Sequence, residues 1–131
     1  MSEISRRHAQ GMETRRKVLG DAHVNRAEAN KTPFDEPFQE LITEAAWSHV
    51  WSRDTISKRE RSMLTLALLA GLGNYEELAL HTRATANTGA TRDDLMEVML
   101  HVAIYAGVPR ANHAIKVVKQ VLDEIDKEKG Q

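Results

Sequence analysis

Apolar residues in this chain recur at helical spacing and nowhere alternate with a period of two, so every predicted element is a helix. The first runs from about Ser5 to Leu19, with Ile4, His8, Met12, Val18 and Leu19 as its apolar positions and Gly20-Asp21 as its stop. After the turn residues Thr32, Pro33 and Asp35, a second segment places Phe38, Leu41, Ile42 and Ala45 on one helical face. Trp47 and Trp51, four apart, lie on a neighbouring face. The third helix opens on Ser57-Lys58-Arg59-Glu60, a capping-box pattern. Met63, Leu64, Leu66, Ala67, Leu68, Leu69 and Leu72 then cover nearly its whole circumference, which predicts a buried, central helix ending near Gly71-Leu72-Gly73.

Asn74 is the expected cap of a fourth helix, with Glu77 three residues on and Asn87-Thr88-Gly89 as its close. Thr91 and Asp94 open a fifth, which carries Leu95, Val98, Met99 and Val102 on one face and stops at Gly107. Pro109 suits the first turn of a sixth, striped by Ile115, Val118, Val121, Leu122 and Ile125. The expected fold is all-α: a single-domain bundle of about six helices over residues 1–131. Within it, a helix and loop occupy 1–34, core helices 35–127, and a frayed tail 128–131, with fraying from Lys127 onward.

Composition narrows the function. A length of 131 residues with 41% hydrophobic and 28% charged positions suits one folded core. Lys and Arg number 18 against 19 Asp and Glu, a net charge of −1, which gives no electrostatic case for a nucleic-acid or anionic-membrane partner. Cysteine is absent, which excludes disulfides, thiolate metal sites, Cys nucleophiles and thiol redox chemistry. The charged stretch Met1 to Lys17 lacks a signal-peptide core, and the apolar run Met63 to Leu72 is too short to span a membrane, so a cytoplasmic protein is expected.

Polar residues that a plain bundle does not require carry the candidate chemistry. Glu77 and His81 share a helix face at i,i+4, where a carboxylate can fix the imidazole tautomer and raise its basicity. The same spacing is common on solvated helix surfaces. Asp94, Glu97, His101 and Tyr105 form a polar stripe, which lines a pocket or interface or else marks the border between core and solvent. Arg59, Arg61 and Ser62 lie in the first turns of the third helix, where an arginine can clamp a carboxylate or simply lay its stem on the core. His23 and His113 are individually weak signals, and no histidine spacing indicates a metal. G-x-G-x-x-G, Walker and G-x-S-x-G patterns are absent.

Several words in order resemble the carboxymuconolactone decarboxylase family: Arg15-Arg16-Lys17-Val18-Leu19-Gly20-Asp21-Ala22-His23-Val24, Phe38-Gln39-Glu40-Leu41-Ile42, Ala46-Trp47-Ser48-His49-Val50-Trp51, Arg59-Glu60-Arg61-Ser62, Glu76-Glu77-Leu78-Ala79-Leu80-His81, Asn87-Thr88-Gly89-Ala90-Thr91 and Tyr105-Ala106-Gly107-Val108-Pro109. The family usually has Gly at position 48 and Asp at position 25, where this chain has Ser48 and Asn25. Alkylhydroperoxidase-like members of the wider superfamily carry C-x-x-C-x-x-x-H. On this chain the cysteines fall at Asn74 and Glu77, the histidine at His81 and an upstream acid near Ser62, so thiol peroxidase activity is excluded.

The resemblance implies an alkylhydroperoxidase-like helical fold and a homo-oligomer, a hexamer or trimer. It implies cofactor-independent decarboxylation of 4-carboxymuconolactone to β-ketoadipate enol-lactone and CO2 in protocatechuate catabolism, with a small dicarboxylate lactone as the partner molecule and neither metal nor cofactor. His81, held by Glu77, is then the expected acid. Arg59 and Arg61 are the expected carboxylate anchors, Trp47 and Tyr105 the pocket walls, and Ser62 and His23 further members. The alternatives are a same-fold enzyme for another lactone or keto acid, and a non-catalytic helical interaction module.

Overall fold

Gly20 shapes the N-terminal region. Helix α1 (Glu3–Leu19) stops there because Gly20 sits at φ +89°, and α2 (Asp21–Asn30) starts at the next residue. The loop expected up to residue 34 is therefore largely helix. Its pattern concealed this, since Val24 is the one buried residue of α2. The computed structural model describes residues 3–130, which form seven α-helices and one π-helical segment, against about six helices expected, with no strand among the described residues. They fall into two compact units, one up to Lys58 and one from Arg59.

In the first unit, Asp35 closes a turn by accepting from Thr32 N at 2.8 Å, and α3 (Glu36–Ile42) follows. It runs without a break into the π-helical segment Thr43–Trp51. The wider i→i+5 winding moves the buried face onto Thr43, Trp47, Ser48 and Trp51, while Phe38 and Leu41, expected inside, are exposed. The Trp47 and Trp51 rings lie 5.4 Å apart and tilted. Helix α1 packs on this segment through short polar pins. Thr14 Oγ1 meets Ser52 Oγ at 2.7 Å, and Ser48 Oγ donates to Gln10 Oε1 at 2.7 Å. Between them the backbones nearly touch at Gly11, where an added Cβ would stand 2.1 Å from Thr43 O.

The second unit comprises nearly all of α4 (Lys58–Leu72), then α5 (Tyr75–Thr88), α6 (Arg92–Tyr105) and α7 (Val108–Glu128). α7 packs on both α5 and α6, and Leu66, Leu78, Leu95, Met99, Val102 and Ala114 are fully or almost fully enclosed. Thr91 and Asp94 form the expected capping box, Gly89 takes the left-handed close of α5, and Pro109 stands in the first turn of α7. Asn74 occupies the cap position of α5 but makes no side-chain cap bond. The expected burial of α4 all round does not hold: Leu66 and Ala70 are enclosed, whereas Leu64, Leu68 and Leu72 are 57%, 64% and 67% exposed. α7 stays helical to Glu128, past the expected fraying point, and Gln131 lies outside the described residues. No helix among the described residues is long and apolar enough to cross a membrane.

Gly11→Ala tests the close approach of α1 to the π segment. Alanine gains up to about 1 kcal/mol over glycine in an unhindered helix. Here the clash with Thr43 O should reverse the sign and cost about 1–3 kcal/mol, read from the urea midpoint. A more stable variant would refute the packing described.

Candidate active site

Helix α5 presents Glu77 and His81 one turn apart. Glu77 is exposed in the first turn, where the positive end of the helix favours a carboxylate, and His81 is half-buried with its Nδ1 shut off from solvent. An imidazole in this position is neither sealed in the core nor fully solvated, the setting in which a proton can be exchanged with a ligand.

The three polar residues of α4 separate sharply. Arg59 lays its Nε and Nη2 on Asp94, at 2.7 and 2.6 Å, in a side-on fork. Asp94 also accepts from Thr91 N at 2.9 Å, so its carboxyl is held far below the usual carboxylate range, first by Arg59 and then by the cap backbone. The fork expected to clamp a ligand is thus occupied by an internal carboxylate. Ser62 is wholly buried and donates to Thr88 Oγ1 at 2.6 Å, tying α4 to the last turn of α5. Arg61 is half-buried, two residues along from Arg59 and so on a different face of the helix.

Tyr105 ends α6 at 85% exposure, its ring centroid 6.2 Å from that of His101. With Leu68, Gly71, Leu72 and Val102 these two rings line an open, largely apolar groove of about 340 Å³. Glu97 and His101 are exposed on the same helix, so the polar stripe borders a groove. His113 is stacked on Tyr75 with centroids 3.9 Å apart. Among the described residues no cluster of three or more His, Asp or Glu side chains could hold a metal ion.

Two further site candidates belong to the first unit. Trp47 is buried in the π segment against Trp51. His23 lies partly buried on α2, where burial and then the charges of Arg15 and Arg26 push its pKa below the ordinary histidine value. Beside it stands a residue to which the sequence reading assigned no role. Arg15 is 5% exposed, and its Nε and Nη1 are buried with no hydrogen bond. Its nearest carboxylate, Glu28, is 3.6 Å away and is drawn to Lys31 at 3.0 Å. Each buried donor left unmade costs about 1–3 kcal/mol. Helical phase contained the signal, since Arg15 stands four residues after Gly11 and three before Val18, on the enclosed face of α1.

Residues 36–120 match the carboxymuconolactone decarboxylase family. The chain belongs to that family. Over 119 residues it is 42% identical to the 4-carboxymuconolactone decarboxylase of Acinetobacter baylyi, covering 91% of this chain and 89% of that one. Over the same length it is 43% identical to the nitrosuccinic acid decarboxylase of Metarhizium robertsii, covering 90% and 83%. A 40-residue stretch is 50% identical to a 4-carboxymuconolactone decarboxylase sequence from Pseudomonas putida, covering 30% of this chain and 83% of that sequence. Within the matched residues, His81 lies on α5 with the carboxylate of Glu77 one turn before it, and the chain has no cysteine.

Asp94 provides a pH test of this frame. Its folded carboxyl titrates below its unfolded value, so the stabilisation is fully present above about pH 4 and is lost as the pH falls toward the folded value. Asp94→Asn should therefore be less stable than the parent at pH 7, and the gap should narrow below about pH 4 in urea melts across pH. A gap independent of pH would contradict the pairing.

Proposed function

We propose that this chain is a cofactor-independent carboxy-lyase acting on 4-carboxymuconolactone. The observation that carries the reading is likeness along nine-tenths of the chain to decarboxylases named for two different substrates. Those substrates share a chemical design. 4-Carboxymuconolactone bears two carboxylates and an unsaturated lactone, and nitrosuccinic acid bears two carboxylates and a nitro group. In each, one carboxylate leaves and the electron pair has an acceptor within the molecule.

For the lactone, the bond from the ring carbon to its carboxylate breaks and CO2 departs. The pair moves through the ring alkene onto the lactone carbonyl oxygen, giving a dienolate. His81, oriented by Glu77, delivers a proton to the carbon beside that carbonyl, which yields the enol-lactone, and solvent restores the imidazolium. Donors facing the carbonyl oxygen stabilise the developing charge, each worth about 3–4 kcal/mol in sites of this kind. Arg61, in the first turns of α4, is the proposed anchor for the carboxylate that stays. Tyr105 supplies an apolar wall with an exposed rim.

Self-association belongs to the same reading. Leu64, Leu68 and Leu72 on α4 and Leu100, Ile104 and Tyr105 on α6 are exposed within one unit, and Leu68, Leu72 and Tyr105 line the same groove. So large an apolar surface is unusual on a monomer and fits a second copy of the chain. A cytoplasmic trimer or hexamer is the proposed state.

Purified protein should consume 4-carboxymuconolactone with release of one CO2 and no added cofactor, measured by loss of butenolide absorbance and by trapped CO2. His81→Ala should lower kcat about 10²–10³-fold, and Glu77→Gln should lower it less. Near-parental turnover by folded His81→Ala would remove the acid assignment. Activity on nitrosuccinic acid alone would transfer the substrate assignment to that compound. In sedimentation velocity the parent should run as an oligomer and Leu68→Asp as a smaller species; a monomeric parent would overturn the self-association.

A further inference from the structure

We propose that Arg15 is a carboxylate-binding residue and that the first unit holds an anion site for a small carboxylic acid, an assignment independent of the reaction proposed above. A guanidinium cannot shed its charge, so a buried one requires an acceptor. Arg15 is 5% exposed and lacks one at two of its three nitrogens. The surrounding charges do not supply it. Among the described residues, Glu28 is the carboxylate that interacts with Arg15, at 3.6 Å, and it sits closer to Lys31, at 3.0 Å. Asp21 is engaged by Arg16 at 3.1 Å, and Arg16 also donates to Asn25 at 2.9 Å. Arg15, Arg16, Arg26 and Lys31 share this corner with Asp21 and Glu28, Glu36 and Glu40 act on Lys31 and not on Arg15, and the imidazole of His23 lies among them.

The geometry specifies the ligand. Nε–H shares one edge of the guanidinium with Nη2, and that edge matches a carboxylate, as Arg59 and Asp94 illustrate elsewhere in the same chain. A carboxylate on this edge satisfies Nε, and Glu28 needs only to close its remaining distance to satisfy Nη1. The side chains of Glu28 and Lys31 are 30% and 27% exposed, so this corner communicates with solvent.

The test is titration of the full-length protein with succinate, followed by the Arg15 Nε–H signal in proton–nitrogen spectra. Succinate should move that signal downfield and slow its exchange with water, about tenfold or more, as a hydrogen bond forms. Inorganic phosphate and chloride at equal ionic strength should do so much less. Arg15→Lys should weaken succinate binding about tenfold and Arg15→Met should abolish it, read by calorimetry on variants whose circular dichroism matches the parent. A signal indifferent to succinate overturns the proposal, as does undiminished binding by folded Arg15→Met. An equal response to phosphate or chloride overturns the carboxylate assignment. The spectrum of the unmodified protein decides the matter even where a variant fails to fold.

Discussion

The second unit depends on a single carboxylate. Asp94 closes the cap of α6 through Thr91 and, through Arg59, holds the first turns of α4 to the same point. Three residues after Arg59, Ser62 is tied to Thr88 at the end of α5. The N-terminal turns of α4 are thus fixed to the start of one neighbour and the end of another. His81 lies seven residues before Thr88, about two turns back along α5, so its place is inherited from these two pins. Arg59 and Ser62 thus tie the helix ends of this unit together. Both are polar because the groups they meet, the Asp94 carboxylate and the Thr88 hydroxyl, are polar side chains near helix ends.

Much of this unit was legible in the sequence. A cap of Thr91 with Asp94, a glycine past Thr88 and a proline at the head of α7 are local chemistry, and each acts over three or four residues. The face of α7 was legible because that helix is regular and amphipathic, and the buried side of α6 was legible from Leu95, Val98, Met99 and Val102. Three features were not. α2 buries only Val24, so it has no stripe to read, and Gly20 lets one helix follow another without the polar loop that normally signals a break. The π segment winds more widely than an α-helix, which moved the predicted face away from Thr43 and Ser48 and left Phe38 outside. The apolar circumference of α4 predicted burial all round, whereas Leu64, Leu68 and Leu72 are exposed, because apolar pattern does not say which faces the neighbouring helices cover.

The candidate site was legible in kind more than in membership. Spacing alone did not separate Glu77 and His81 from a solvated surface pair, the family resemblance did, and the structure leaves Glu77 exposed and His81 partly buried on one helix. Arg59 was chosen for the right chemistry, a planar fork seeking a carboxylate, with the wrong carboxylate in mind. A sequence shows that such a fork exists; it does not show that Asp94, 35 positions on, reaches it first. Arg15 was overlooked for the opposite reason. It sits in a run of three basic residues, which reads as solvated charge, while the phase of α1 turns that one member inward.

Net charge carries the same lesson. A balance of 18 basic against 19 acidic residues argues well against a polyanionic partner, since that requires many exposed cations on one surface. It has no bearing on a single small acid, because one guanidinium in a low-dielectric corner attracts a carboxylate far more strongly than several solvated ones. For this chain the relevant quantity is the burial of each charge with its count of unmade bonds. By that measure Asp94 and Arg15 are opposites. The carboxylate is met by a cap and an arginine, whereas the arginine is enclosed with two of its three nitrogens making no hydrogen bond.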